Sequence, residues 1–226
     1  MSIAENIEVV KKRIAQACEK SNRDFSEVTL VAVSKGQPPE SIIEASCSGI
    51  KIFGENRVQE AKSKIPICPS NLRWHMIGHL QTNKARDCVR LFEMIQSVDS
   101  LHLALEIQKC AEKESKQIPI LLEVNVAGEA SKFGIKPEVL IQTMTEINKL
   151  TRLEIQGLMT IAPWTPEPEK VRPVFRKLKE LKLSCEDALG APLPHLSMGM
   201  SNDFDIAIEE GATIVRIGTA IFGQRT

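Results

Sequence analysis

Eight short, mostly apolar runs of β-prone residues alternate with helical patterns along the chain, and this alternation restricts the fold more than any other feature. The runs are Thr29–Val33, Lys51–Phe53, Arg73–Ile77, Met94–Val98, Ile120–Val126, Glu154–Met159, His195–Met198 and Thr213–Ile217. Strands that are separated by helices pair in parallel as βα units. The pattern therefore favours an α/β fold, a single closed (β/α)8 TIM-type barrel, with an open doubly wound sheet as the alternative.

Helical patterns fill the gaps between these strands. A leading amphipathic helix is predicted within residues 1–21, because Ile3, Ile7, Val10 and Ile14 recur at helical spacing. The other predicted helices are Pro39–Ser48, Arg57–Lys64, Asn83–Leu91, Leu101–Lys116, Pro137–Leu150, Pro168–Leu189 and Ser201–Glu210. No Gly/Ser linker, low-complexity tract or repeat divides the chain, so we expect one domain over residues 1–226.

Charge and cysteine spacing exclude several classes of protein. Lysine plus arginine equal aspartate plus glutamate at 29 each, so net charge gives no support for binding to nucleic acid or to a membrane surface. The cysteines lie far apart without a CxxC pair, which argues against zinc, a redox dithiol and a secreted disulfide scaffold. The N-terminal segment lacks the apolar core of a signal peptide, and no run is long enough to span a membrane. We expect a cytoplasmic protein, and a monomer because no large apolar patch indicates an interface.

Polar residues follow the predicted strands at their carboxyl ends, where parallel barrels place their functional groups. Lys35 ends the first strand, after the apolar run LVAV and one serine. A lysine among apolar neighbours loses its proton more easily and attacks carbonyl groups readily. From position alone, an imine-forming amine and an ordinary surface lysine are both open interpretations.

The loops after the last two strands carry a second group of candidates. Ser201 is predicted to cap a helix that starts directly after it, with Asp203 and Asp205 in the first turn. Gly218 and Thr219 form another small, donor-rich loop. Loops in these two places often bind phosphate in this fold, so we predict a phosphate site at Ser201, Gly218 and Thr219. An ordinary capped helix and turn are the alternative.

Arg216 lies inside the apolar run IVRI, where a strand interior rarely tolerates an unpaired guanidinium. It either pairs with an inward acid such as Glu55 or Glu123, or it points into the barrel mouth and donates to a ligand. Against a pyridine nitrogen, an arginine would keep that nitrogen unprotonated. His79, which follows a glycine at the mouth, is open between contact with a cofactor or substrate and a structural role. His75, inside a strand, is predicted to be structural.

Several motifs, taken in order, resemble one known family. The chain contains VAVSKGQP, FGENRVQE, WHMIGHLQTNK, SKFGI, GLMTIAP and LSMGMSNDFDIAI…GATIVRIGTAIFG. These are similar to the motifs of the pyridoxal 5′-phosphate (PLP) homeostasis protein family, also described as YggS/PROSC-like or alanine racemase N-terminal-domain-like. The match runs from about Thr29 to Gly223. The resemblance implies a fold-type III PLP barrel without the racemase's second domain, in a protein linked to PLP balance and amino-acid metabolism.

The resemblance also implies roles for individual residues. Family members bind PLP as a Schiff base on the lysine of VAVSK, here Lys35. The pyridine nitrogen faces the arginine of VRIG, here Arg216. The phosphate is held by the serine of MGMS and by the GT pair, here Ser201, Gly218 and Thr219. Four further positions line the pocket in the same picture: Asn56, Ser197, Met198 and Gly199.

Two functions of different classes are compatible with these residues. One is a homeostasis protein that holds PLP, protects it and passes it to apo PLP-dependent enzymes. The other is a racemase-type or aldolase-type enzyme that acts on an amino acid with weak one-base activity. Alanine racemase uses a tyrosine as its second base, and this chain contains no tyrosine, so we predict a binding protein without catalytic residues. Lys132, in the loop after the fifth strand, is a candidate second amine for PLP transfer, with an exposed loop as the alternative.

Overall fold

The computed structural model describes residues 2–129 and 133–224 of the chain. Eight parallel strands form a closed barrel in which each strand pairs with the next in sequence and the last pairs with the first. The strands are β1 (Thr29–Val33), β2 (Ile52–Glu55), β3 (Arg73–Met76), β4 (Met94–Val98), β5 (Ile118–Glu123), β6 (Leu153–Met159), β7 (His195–Ser197) and β8 (Ile214–Ile217). This is the (β/α)8 TIM-type barrel that the alternation predicts, and it rules out the open sheet.

Helices cover the outside of the barrel. They are α1 (Ile3–Lys20), α2 (Pro39–Cys47), α3 (Val58–Lys64), α4 (Ala85–Leu91), α5 (Leu101–Lys113), α6 (Leu140–Ile147), α7 (Arg172–Leu189), α8 (Phe204–Glu209) and α9 (Thr219–Phe222). The main hydrophobic core fills the space between these helices and the strands, and a second, smaller cluster fills the lumen of the barrel. None of the helices in residues 2–129 and 133–224 is long and apolar enough to cross a membrane.

The leading helix α1 packs against the helices that follow the last two strands. Ser2 and Glu5 form a capping box at its start, which satisfies two backbone N–H groups of the first turn. Ile7 and Ile14 in its apolar stripe are fully buried, and Ile3 at its start is partly buried. Asn6 Nδ2 donates to the carbonyl oxygen of Ile221 in α9 at 2.9 Å. The first helix therefore supports the two short helices, α8 and α9, that follow β7 and β8.

The predicted strands are confirmed, with ends that differ by a few residues, while several predicted helices start too early. The segment from Pro137 begins with a 3-10 turn, so α6 starts only at Leu140. The segment from Pro168 also begins with a 3-10 turn before α7. The four-residue helix α9 was not predicted, because a single turn is too short to show helical periodicity.

Gly157 on β6 allows a close approach of β7 at the point where the two strands pair. A Cβ built on Gly157 would lie 1.9 Å from the carbonyl oxygen of His195. We expect Gly157→Ala to lower the free energy of unfolding by about 3 kcal/mol or more, because the paired backbones must move apart. Urea unfolding measures this loss.

Gly190→Ala is the matched control for this prediction. Gly190 ends α7 with a φ of 64°, and nothing lies within 4 Å of a Cβ built there. Only the left-handed backbone disfavours alanine, so we expect a loss of about 1 kcal/mol. Equal losses in the two variants would contradict the role assigned to the β6–β7 approach.

Candidate functional site

A cavity of about 560 Å³ opens at the carboxyl ends of β1 and β8 and is also lined by the loops after β6 and β7. Its polar lining includes Lys35, Gln37, Thr165, Ser201, Asn202, Asp203, Arg216 and Thr219. The backbone of Gly218 also faces this space, and the exposed ring of Trp164 stands at its rim. The cavity therefore collects an amine, several hydroxyl groups and a guanidinium.

Lys35 enters this cavity because β1 ends two residues before it, at Val33. Ser34 still pairs with the sheet, since its N–H donates to the carbonyl oxygen of Gly54 at 3.0 Å. Gly36 then turns the chain with a φ of 72°, and its N–H donates to the Glu60 carboxylate. The half-buried Lys35 lies between the strand and the turn, so both of its neighbours are fixed by hydrogen bonds.

A buried ion pair lies beneath the Lys35 turn. Lys64 Nζ donates to Glu55 Oε1 at 2.9 Å and to the carbonyl oxygen of Ser34 at 2.8 Å. Ser34 Oγ also donates to Glu55 Oε1, at 2.7 Å. Burial raises the pKa of Glu55, while the hydrogen bonds from Lys64 and Ser34 lower it. The sequence singled out Glu55 but missed Lys64, whose position on a helix resembled that of a surface lysine.

Ser201 does not cap α8, and the prediction that it does is wrong. The cap position of α8 is Asp203, whose Oδ1 accepts from the N–H of Met200 at 2.6 Å and holds a turn ahead of the helix. Ser201 Oγ instead accepts from the N–H of Ala220 in α9, at 3.1 Å. This bond joins the loop after β7 to the loop after β8 and leaves the hydroxyl proton of Ser201 available to a ligand.

Arg216 is buried and is held by two neutral acceptors. Its Nη1 donates to Ser197 Oγ at 2.5 Å, and its Nη2 donates to the carbonyl oxygen of Thr160 at 2.8 Å. Neither Glu55 nor Glu123 forms an ion pair with it within the described residues, so the ion-pair alternative from the sequence is wrong. Burial lowers the pKa of Arg216 to about 10, and the side chain therefore stays charged at neutral pH.

Three predicted pocket residues at the end of β7 and directly after it support the cavity without lining it. Ser197 is fully buried and accepts from Arg216, and the Met198 side chain packs in the main hydrophobic core. Gly199 has a φ of 92°, and a Cβ there would lie 2.6 Å from the Cβ of Ala207. Its carbonyl oxygen accepts from the backbone N–H of Arg216 at 3.0 Å. The prediction that these three residues belong to the site region therefore holds, but they lie behind the cavity surface and not on it.

Asn56 and His79 line a second cavity, of about 410 Å³, on the β2–β3 side of the barrel mouth. His79 Nδ1 lies 2.8 Å from Asp99 Oδ2, and its ring stacks on Phe133 with 3.6 Å between the centroids. The structure therefore brings Lys35 together with the phosphate candidates and Arg216, and it places Asn56 and His79 apart from them. Lys132 lies outside the described residues.

Comparison with known proteins places the chain in a family. The family model for the alanine racemase N-terminal domain matches residues 2–226. A pyridoxal phosphate homeostasis protein from Aquifex aeolicus is 46% identical over 226 residues, which is 100% of this chain and 99% of that protein. A protein of the same name from Pseudomonas aeruginosa is 42% identical over 99% of this chain and 96% of its own length. The chain belongs to the pyridoxal phosphate homeostasis protein family.

Solved structures show the same relationship. PipY of Synechococcus elongatus PCC7942, solved with PLP bound, is 35% identical with a TM-score of 0.85, over 98% of this chain and all of PipY. PipY without PLP gives a TM-score of 0.88. An alanine racemase from Clostridium difficile is 14% identical with a TM-score of 0.74, covers 98% of this chain and 57% of its own, and shows the shared fold alone.

The sequence missed several polar residues that shape the site. Gln96 lies within β4, fully buried, and its Oε1 accepts from Ser197 Oγ at 2.6 Å. Thr160 supplies the carbonyl oxygen that holds Arg216. A glutamine inside the apolar run MIQSV is the same kind of signal as the arginine in IVRI, and it was available in the sequence.

Glu123 is a buried acid at the end of β5. Burial and the nearby Asp99 raise its pKa to about 7, although the charge of Arg216 opposes that shift. Below the unfolded-state value of 4.5 the carboxyl is neutral in both states, whereas above about 7 the folded protein must bury its charge. The stability that the neutral carboxyl provides is therefore lost as the pH rises through this window.

We expect wild type, without added ligand, to lose stability relative to Glu123→Gln as the pH rises from 4.5 to about 7. The loss should be of the order of 3 kcal/mol. Urea unfolding at several pH values measures it, and Glu138→Gln, at an exposed position, controls for removing one negative charge. Parallel profiles for wild type and Glu123→Gln would contradict the prediction.

Proposed function

We propose that this protein binds PLP as a Schiff base on Lys35 and acts in intracellular PLP homeostasis. One observation carries the proposal: a single cavity is lined by the Lys35 amine, by Ser201 and Thr219, and by the Arg216 guanidinium. An amine can hold the aldehyde of PLP, and hydroxyl groups and a small loop can hold its phosphate. The family to which the chain belongs points in the same direction.

The residues that are present fit PLP in size and in chemistry. A volume of about 560 Å³ lies in the range typical of cavities for small cofactors. Ser201 accepts from Ala220, so its proton is free to donate to a phosphate oxygen. A Cβ on Gly218 would lie 3.3 Å from the carbonyl oxygen of Val33, so glycine keeps this wall open next to β1.

Bound PLP supplies an aldehyde carbon and a ring that withdraws electrons when its nitrogen is protonated. Arg216 has only donors and stays charged at neutral pH, so it would leave a facing ring nitrogen unprotonated. Ser201 and Thr219 orient the phosphate, and the fixed backbone on both sides of Lys35 orients its amine. These residues would bind the cofactor and keep its ring nitrogen unprotonated, which does not favour catalytic turnover.

The comparisons support holding and delivery over catalysis. PipY has been solved with PLP bound, and the relatives with full-length matches are named homeostasis proteins rather than enzymes. The chain also lacks the tyrosine that alanine racemase uses as its second base.

We also propose that residues 1–226 form one PLP-binding domain. A cytoplasmic location, a monomeric state and apo PLP-dependent enzymes as recipients belong to the same proposal.

Lys35 is the first residue to test. Borohydride treatment of the protein loaded with PLP should fix one pyridoxyl group on the peptide that contains Lys35. Lys35→Ala should retain much less PLP through gel filtration, whereas Lys62→Ala, on the exposed face of α3, should retain it as wild type does. Mass spectrometry locates the adduct, and an adduct on another lysine of the wild type would refute the assignment.

The phosphate residues can be tested by comparing two ligands. Ser201→Ala and Thr219→Val should each weaken PLP binding by about 1–2 kcal/mol, because each removes a donor to a charged group. Pyridoxal, which lacks the phosphate, should bind wild type and both variants almost equally. Titration followed by absorbance measures both affinities. Equal losses for the two ligands would mean that these residues shape the barrel and do not hold phosphate.

A further inference from the structure

Four polar side chains cross the lumen of the barrel in one hydrogen-bonded chain. Arg216 Nη1 donates to Ser197 Oγ at 2.5 Å, and Ser197 Oγ donates to Gln96 Oε1 at 2.6 Å. Gln96 Nε2 then lies 2.8 Å from His75 Nδ1. The four residues stand on β8, β7, β4 and β3, and none is more than 3% exposed. The chain therefore links the cavity wall at Arg216 to the far side of the barrel.

The guanidinium fixes the direction of every bond in this chain. Arginine only donates, so Ser197 accepts from it and its single proton goes on to Gln96 Oε1. The amide nitrogen of Gln96 is a donor, so His75 Nδ1 accepts and the imidazole is neutral with its proton on Nε2. Burial lowers the pKa of His75 to about 4, in agreement with a neutral ring. Each contact among the four side chains therefore pairs one donor with one acceptor.

The partners of Arg216 along this chain carry no charge. Glu123 and Asp203 attract the guanidinium electrostatically, yet among the residues that the structure describes neither forms an ion pair with it. A direct carboxylate partner would cancel the charge of Arg216 at short range. Neutral acceptors hold the group in place and leave its positive charge directed at the cavity, where it disfavours a protonated ring nitrogen.

We propose that Gln96 is a positioning residue for Arg216: by fixing the Ser197 hydroxyl, it holds the guanidinium in the orientation that faces the bound ring. Gln96 does not line the cavity. It contacts Ser197, which in turn contacts Arg216, so any effect of Gln96 on the cavity acts through Arg216. The meaning of this orientation for PLP rests on the proposed function. The hydrogen-bonded chain itself belongs to the protein without ligand and is tested there.

The test measures rotation of the Arg216 guanidinium about its Cζ–Nε bond in the protein without PLP. A guanidinium held at Nη1 by Ser197 and at Nη2 by Thr160 must break both bonds to rotate. Exchange between the two Nη resonances, detected on Cζ by NMR, gives the rate. Gln96→Met keeps the length of the side chain and removes both of its bonds, so rotation should become about tenfold faster or more.

Two matched variants separate positioning from a general loss of packing. Met94→Leu changes a buried lumen residue two positions earlier on β4 and should leave the rotation rate unchanged. Gln96→Glu keeps an acceptor for Ser197 and should preserve slow rotation. Ser197→Ala should accelerate rotation as Gln96→Met does, and the double variant should be no faster than the faster single variant. If Gln96→Met does not fold, Gln96→Asn, which is too short to reach both partners, takes its place.

Wild-type rotation in folded Gln96→Met or Gln96→Asn would overturn the proposal, as would equal acceleration in Met94→Leu. A second readout uses PLP labelled with ¹⁵N in its ring. The ring nitrogen should give the chemical shift of an unprotonated pyridine in wild type and should move toward the protonated value in Gln96→Met. Failure to find a pyridoxyl group on Lys35 would refute the proposed function alone, because the rotation rate is measured without PLP.

Discussion

Pairing of β1 with β8 is the constraint on which the site depends. The register sets Val31 beside Arg216 and Ala32 beside Ile217, so the residues that follow the two strands emerge side by side. Lys35 and the Gly218 loop are far apart in sequence, and only closure of the barrel makes them neighbours. An open sheet with the same strands would leave them at opposite edges, without a common cavity.

Charged groups that the barrel and its helices bury need partners, and the structure meets this need in two different ways. Beneath Lys35, the Lys64 ammonium pairs with the Glu55 carboxylate, so the two charges offset each other. Arg216, by contrast, is held by a hydroxyl and a carbonyl oxygen and keeps its charge uncancelled at short range. The Lys64–Glu55 pair holds the backbone at Ser34, next to Lys35. The neutral partners of Arg216 leave its positive charge directed into the cavity. Under the proposed function, this difference would let one barrel hold PLP and keep its ring nitrogen unprotonated.

Much of this arrangement could be predicted, because its signals are local. Parallel strands repeat with helices between them, and Lys35 and Arg216 each interrupt or end an apolar run. The contacts between side chains could not be predicted in the same way. Ser201 had the sequence context of a helix cap, yet its hydroxyl bonds to α9, because the carboxylate of Asp203 already holds the turn before α8. Gln96 carried a signal as clear as that of Arg216, but its partner lies about a hundred residues away.

The sequence by itself determined the order and number of the strands, the family, and the residues that end strands next to the barrel mouth. These features follow from the periodicity of apolar residues and from motifs of a few residues, which are written along the chain. The tertiary structure decided which of those residues share a cavity: Lys35 and Arg216 do, and Asn56 and His79 lie in a neighbouring one. It also decided that Arg216 has neutral partners. Such choices depend on strand register and on distances across the lumen, which are set only when the last strand pairs with the first.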